Sequence, residues 1–465
     1  MLARRLAVSL VLLASVAGAE PRRAPPPEPP PARRMTLPEA LGYARSHQYK
    51  LIAARERLEA AKLEVEIPRA QWLPQVGALA EVFGGTANNA TGLYLNQRAV
   101  DVPRVGATVV PGDDPSWKPY ASTFVALGVR QELYDFGRIA AERAAAELRA
   151  DVERYRVASQ TVDTDFGVAQ AYYAVLAAIA IDEASRNAFD RAATHADFAR
   201  AQVQSGMRPP IEQTRADADV ARYEAGMQRA RGALHSARIV FAAAVGVDDA
   251  ELDASGAALA GAPLPALNDT LARATRSPFV MVARAGVEAQ KAETKRIEAQ
   301  ARPNLFATAA VDGRAGGAPP SSARSTLQSG AGFVPLVPNY DVGAIFSWPL
   351  WEPQIDRAAD ASRGREQAAA SDAEAVLRVQ RAAISSAWHD ADVATATLSA
   401  LQRGADAARA NYDQADHRFQ VGLGTSTELA DAQAVRTDAD IQLAVGLYQA
   451  ARARAVLERA IAEVR

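Results

Sequence analysis

The residue types that most often carry chemistry are sparse here, and badly spaced for it. The chain has five histidines, His47, His195, His235, His389 and His417, and no two stand at metal-ligand spacing. It has no cysteine, which excludes disulfides, thiolate metal sites, a Cys nucleophile and a lipid-modified N-terminal Cys. There is no phosphate-binding glycine loop and no Ser nucleophile elbow. A net charge of −2 gives no reason to expect a nucleic-acid partner. What remains is carboxylates, most of which read as solvated faces of long helices. Three stand out by position. Glu428 and Asp431 follow Gly422-Leu423-Gly424-Thr425 and, three apart, share one helix face. Glu212 follows Gly206-Met207-Arg208-Pro209-Pro210. Acidic residues so placed stabilise helix N-termini by ~0.3–1 kcal/mol each. This inventory predicts no enzyme, no cofactor and no metal site.

The elements that position these groups come in duplicate. Gly206 to Glu212 aligns with Gly422 to Glu428 at a shift of 216 residues. The same shift pairs Ala171-Tyr172-Tyr173 with Ala387-Trp388-His389. A shift of 217 pairs Leu133-Tyr134-Asp135 with Leu350-Trp351-Glu352. Such a constant shift marks one duplicated structural unit. The first unit spans residues 36–262 and the second 263–465. Each reads as helix, strand, long loop, strand, very long helix, tight turn, helix.

The strands are expected at about 73–84, 122–134, 304–312 and 341–350. In each, apolar residues alternate with small or polar ones. Val76, Ala78, Ala80 and Val82 oppose Gln75, Gly77 and Glu81, and Val125, Leu127 and Val129 oppose Ala126, Gly128, Arg130 and Glu132. Their length suits strands that cross a bilayer at a tilt, and the two faces suit a wall between water and lipid. An ordinary half-buried sheet shows the same alternation. Long Gly-, Pro-, Asn- and Ser-rich loops at 85–121 and 313–339 are rare in compact soluble domains.

The long helices are expected over 138–204 and 356–420, with return helices over 210–245 and 426–461. At ~1.5 Å per residue the first is about 100 Å long, over three times a bilayer core. Leu148, Val152, Tyr155, Val162, Phe166, Ala169, Tyr173 and Leu176 form a heptad-like seam, beside a second stripe of Val168, Tyr172, Val175 and Ile179. Two seams suit a closed ring of helices; a long coiled-coil hairpin is the alternative. Glycine at 206 and 422 can supply the left-handed residue of a tight stop.

At the N-terminus, Arg4-Arg5, the apolar run Leu6 to Val16 and Ala17-Gly18-Ala19 predict a signal peptide over 1–19. A Pro-rich spacer follows over 20–35. No later segment is expected to form a transmembrane helix, so membrane residence would have to use strands.

These residues resemble the outer membrane efflux protein family, the TolC-like channels. The likeness rests on Met35-Thr36-Leu37-Pro38-Glu39-Ala40-Leu41, Trp72-Leu73-Pro74-Gln75, Leu133-Tyr134-Asp135-Phe136-Gly137, Gly206-Met207 and Gly422-Leu423-Gly424-Thr425. It covers nearly all the chain from Thr36 onward. The resemblance implies an α+β membrane protein in the outer membrane of a Gram-negative bacterium. It implies a homotrimer in which each subunit gives four strands to a 12-stranded β-barrel and long helices to a periplasmic α-helical barrel. It further implies a passive exit duct of a tripartite efflux pump or type I secretion system. Its partners would be outer-membrane lipid, a periplasmic adaptor and an inner-membrane RND or ABC transporter. Glu428, Asp431 and Glu212 would form the periplasmic gate. Gly206, Met207 and Arg208, with Gly422, Leu423, Gly424 and Thr425, would be the adaptor-docking turns. Two positions depart from the family pattern: Glu428 stands where Asp is usual, and Pro209-Pro210 replaces an apolar-Thr pair. The competing expectation is a secreted periplasmic coiled-coil scaffold or adaptor. An uptake porin would leave the ~100 Å helices unexplained.

Overall fold

A computed structural model describes residues 34–85, 120–248, 252–256, 263–316 and 338–464. The expected signal peptide, almost all of the spacer and most of both long loops lie outside the described residues.

The first repeat opens with a short strand, β1 (Arg34–Met35), and three consecutive helices, α1 (Leu37–His47), α2 (Tyr49–Glu64) and α3 (Glu66–Ala70). Thr36 donates its backbone N–H and its hydroxyl to Glu39 at 2.8 Å, which fixes the start of α1. Sequence periodicity predicts one helix here, but the chain breaks at Gln48. The reason is tertiary. Gly246 abuts the His47 carbonyl, and the Gln48 amide donates to Ala244 O at 2.9 Å. β1 is not part of a loose spacer: it pairs in parallel with β4 (Asp253–Ala254).

Strands β2 (Gln75–Gly85) and β3 (Tyr120–Tyr134) follow, then α4 (Arg138–Gln204) and α5 (Pro210–Val245). In the second repeat α6 (Leu267–Ala272) and α7 (Pro278–Glu298) lead to β5 (Asn304–Gly316) and β6 (Asn339–Ser347). Then come α8 (Pro353–Gln420) and α9 (Ser426–Ala460). β6 stops short of the expected residue 350, where Pro349 lacks an N–H for the ladder. α8 starts at Pro353, three residues early, since proline suits the first helical position.

The four long strands form one antiparallel sheet in the order β2-β3-β5-β6. Its register puts Val76 beside Val129, Leu127 beside Val311 and Ala309 beside Val342, so one face is apolar across all four strands. On the other face Gln75 pairs with Arg130, Arg130 with Thr308, and Asp312 with Asn339. The apolar row is open: Val82 is 78% exposed and Val342 82%. Among the described residues, β2 and β6 each leave one edge without a partner strand.

Helix α4 is the spine, packed against α2, α5, α7 and α9, while α8 packs against α7 and α9. Its buried face is built largely of alanine: Ala145, Ala146, Ala171, Ala178, Ala188, Ala192, Ala196 and Ala199. Small side chains let the helix axes approach closely. Most of the larger residues of the expected seam, such as Leu148 and Val162, are only half-buried. One stretch of α4 is, against expectation, long and apolar enough to cross a membrane. Its apolarity has a structural cause. Val168, Ala171, Tyr172, Tyr173 and Val175 are buried against Ala40, Ala44, Phe241 and Val245.

The repeats keep equivalent anchors. The Tyr172 hydroxyl donates to Ser255 O at 2.8 Å, and the Trp388 indole donates to Pro265 O at 2.8 Å. The strand-to-helix elbows have diverged. In the first, Phe136 (φ 54°) and Gly137 (φ 90°) are left-handed, and Asp135 accepts from the backbone N–H groups of Gly137 and Ile139. Arg302, from the second repeat, donates to the carbonyls of Phe136 and Gly137, both at 3.2 Å. Arg138 at this elbow is ion-paired with Glu132 and Glu142.

Candidate functional site at the helix turns

Helix α4 stops because Gly206 turns left-handed (φ 76°). Met207 N–H then donates back to Gln202 O at 2.9 Å, and Arg208 N–H to the same carbonyl at 3.3 Å. Pro209 and Pro210 follow, and α5 starts on Pro210, whose missing N–H costs nothing in the first turn. Helix α8 stops by the same device. Gly422 has φ 81°, and Leu423 and Gly424 both donate to Arg418 O at 2.9 Å. Gly424 must be small for a different reason: a Cβ there would lie 3.0 Å from the Phe419 backbone N.

The second turn is finished by a capping box. Thr425 Oγ1 accepts from Glu428 N–H at 3.1 Å, and the Glu428 carboxylate accepts from Thr425 N–H at 3.2 Å. Glu428 is thus tied to its own backbone. Asp431 is exposed and has no hydrogen bond or ion pair among the described residues. Glu212 is half-buried, and its Oε2 is buried without a hydrogen-bond partner among them.

The two turns meet. The Arg208 guanidinium donates to Gly424 O at 3.4 Å and lies 5.3 Å from the centroid of the Phe419 ring. Phe419 also takes edge contacts from His195 at 5.1 Å and Phe198 at 5.7 Å. It is buried with Tyr412, Leu429 and Ala432. Met207 and Leu423, 70% and 75% exposed, project from the tips.

Sequence reasoning missed Phe419 and His195 as the joint between the turns. An aromatic three residues before each stop would have been the signal, but the first repeat has Val203 there. Burial pushes the His195 imidazole below its ordinary value, opposed by the charges of Asp219, Glu212 and Asp416. No cluster of three or more His, Cys, Asp or Glu side chains among the described residues could hold a metal.

A duplicated chain with a four-stranded sheet, apolar on one open face, joined to helices ~100 Å long defines a membrane channel with an extended helical section. The outer membrane efflux protein profile matches residues 40–247 and 272–463, and the chain belongs to that family. It is an outer-membrane efflux channel, with no enzymatic activity. Among solved structures, it is similar to the outer membrane protein VceC of Vibrio cholerae. That match has 16% identity, covers 92% of this chain and 96% of that one, and has a TM-score of 0.67. The CmeC outer membrane channel of Campylobacter jejuni gives 13% identity, 91% and 85% coverage and a TM-score of 0.70. The open state of the MtrE outer membrane channel of Neisseria gonorrhoeae gives 16%, 91% and 88%, and 0.66. No curated protein sequence matches the chain.

Proposed function

We propose that three copies close into a 12-stranded barrel in the outer membrane, continued by a helical tunnel. The assembly would act as the passive exit duct of a tripartite efflux pump or type I secretion system. The observation that carries this reading is the sheet: four paired strands of 9 to 15 residues, apolar on one face, with both edges open among the described residues. Open edges are not tolerated in lipid, so the strands must be closed by other copies. Each chain contributes an even number of antiparallel strands. β6 of one copy can therefore meet β2 of the next antiparallel, and the alternation continues around a ring. Exposed Trp72, Tyr134, Phe136, Trp348 and Trp351 cluster where strands give way to helices, the level at which barrels carry an aromatic girdle.

At the far end, Glu428, Asp431 and Glu212 from three copies would ring the periplasmic opening and favour cations. The turns at Gly206, Met207 and Arg208 and at Gly422, Leu423, Gly424 and Thr425 would meet a periplasmic adaptor, and through it an RND or ABC transporter. Energy for export would come from that transporter. The test is the mass of the detergent-purified protein, together with its conductance in a planar bilayer. A trimer with steady conductance is expected. A monomer recovered without detergent would favour the coiled-coil scaffold, for which the exposed apolar sheet face has no use.

A further inference from the structure

We propose that His195 is a proton-operated latch on the helix turns. Below neutral pH its protonation would release the packing around Phe419 that holds the α4–α5 turn to the α8–α9 turn. This rests on the duct reading of the turns and adds a control to it.

The geometry has three parts. The His195 ring packs edge-on against Phe419, 5.1 Å between centroids at 62°. Its Nε2 is buried without a hydrogen-bond partner among the described residues. Glu212 Oε2, on the first turn of α5, is likewise buried and unpartnered among them. Neutral imidazole tolerates this packing. An imidazolium there would carry a second N–H with nowhere to donate, against a ring that already faces the Arg208 guanidinium. The charged form gains a partner only if the start of α5 shifts toward α4. That shift would strain the Arg208 bond to Gly424 O.

The charged groups around His195 are few. Glu212 and Asp219 face it from α5 and Asp416 from α8, all drawing a proton toward it. On its own helix, Arg191 lies one turn earlier. Helix α9 brings Arg436, whose guanidinium lies 4.9 Å from the Tyr412 ring that Arg191 also faces, and the uncharged Gln433, which donates to Ala188 O at 2.9 Å. Burial outweighs the three carboxylates, so the packed state prefers neutral His195. The sign follows. The packing is intact above about pH 6.5, the ordinary value for imidazole, and is progressively disfavoured below it.

The native chain has no thiol, so Met207→Cys can carry a single nitroxide at the exposed tip of the first turn. We expect the mobile fraction of its spectrum to rise about threefold between about pH 7.5 and pH 5.5 in the full-length protein. The rise should vanish in His195→Gln, or in His195→Asn should the first variant melt early. It should persist in His417→Gln, which alters an exposed histidine on α8. Glu212→Gln should move the midpoint to lower pH by removing a charge that favours the cation. An unchanged spectrum in the parent, or the same rise with and without His195, would overturn the latch, as would a Glu212→Gln midpoint that stays put. Bilayer conductance of the same preparation is scored separately. Its absence at every pH would sink the duct while the label still judges the latch.

Discussion

Glu428 has two possible employments, and a pair of substitutions separates them. Its carboxylate closes the capping box with Thr425, and its charge would contribute to a periplasmic ring. Glu428→Gln keeps an oxygen that can accept from Thr425 N–H but removes the charge. Thr425→Ala keeps the charge but removes the hydroxyl that accepts from Glu428 N–H. If three carboxylates line a constriction of roughly 8 Å radius, each attracts an axial monovalent cation by about 0.5 kcal/mol in water. Three sum to about 1.5 kcal/mol, and screening at ~0.1 M salt leaves about 0.7 kcal/mol. An anion is repelled by the same amount, so Glu428→Gln should lower the cation-over-anion permeability ratio about tenfold, the equivalent of about 1.4 kcal/mol. The effect should grow at ~0.01 M, where the Debye length is about 30 Å. Its melting temperature should hardly move. Thr425→Ala should do the opposite, with about 1 kcal/mol lost from the cap and an unchanged reversal potential. Adding Asp431→Asn to Glu428→Gln should roughly double the selectivity change, since Asp431 has no competing partner among the described residues. The assay is the zero-current potential across a planar bilayer under a salt gradient. A Glu428→Gln channel with native selectivity and lowered stability would refute the reasoning and leave Glu428 as a cap alone.

Three further outcomes follow from geometry already described. Gly424→Ala should cost more melting temperature than Gly422→Ala. The first drives a Cβ to 3.0 Å from Phe419 N and 3.2 Å from Arg418 C, whereas the second adds only left-handed strain of about 1 kcal/mol. Arg302→Ala should destabilise the first elbow by about 1–2 kcal/mol, seen as faster hydrogen exchange over 134–140 with little change in the helix turns. Glu293 accepts from Arg296 within α7 and from Arg149 across the α4–α7 contact, and the Arg296 hydrogen bond leads in holding its carboxyl below the ordinary value. That stability is present above pH ~4.5 and is lost as pH falls through the depressed value, so exchange in α7 should accelerate in acid and not in Glu293→Gln.

The duplication was legible because its punctuation is sterically obligatory. A left-handed residue ends both long helices, and glycine at 206 and 422 meets that need without strain. The strands were legible because one face must differ from the other, and a period of two records this directly. The capping box was visible as Thr425 with Glu428 three residues on. What stayed hidden depends on distant partners. Gln48 breaks a helix through the end of α5, two hundred residues away in sequence. Arg302 reaches the elbow of the other repeat. The buried face of α4 was misjudged for a different reason. Alanine carries almost no periodic signal on a hydrophobicity scale, yet alanines dominate the buried face because helices meet closely there. His195 has no sequence signature at all; its burial comes from Phe419, in the opposite repeat.

The two repeats have kept some equivalences and lost others, and the pattern of loss is informative. Tyr172 and Trp388, at equivalent positions, use different chemistry to make the same bond to a backbone carbonyl, so that anchor tolerates substitution of its donor. The turns have instead become complementary. The first is stiffened by Pro209-Pro210 and reaches across with Arg208. The second is closed by its own cap and offers the Gly424 carbonyl as acceptor. Two identical turns could not both play donor and acceptor in this contact. If three copies form a ring, it therefore alternates between a reaching turn and a receiving turn, six in all. Release of one contact type would free every pair at once. Arg208→Lys isolates that contact. It retains the charge but loses the planar guanidinium that both bonds Gly424 O and lies near the Phe419 ring. Larger conductance fluctuations with unchanged ion selectivity are expected, and native fluctuations would show that the turns are held by something other than this bond.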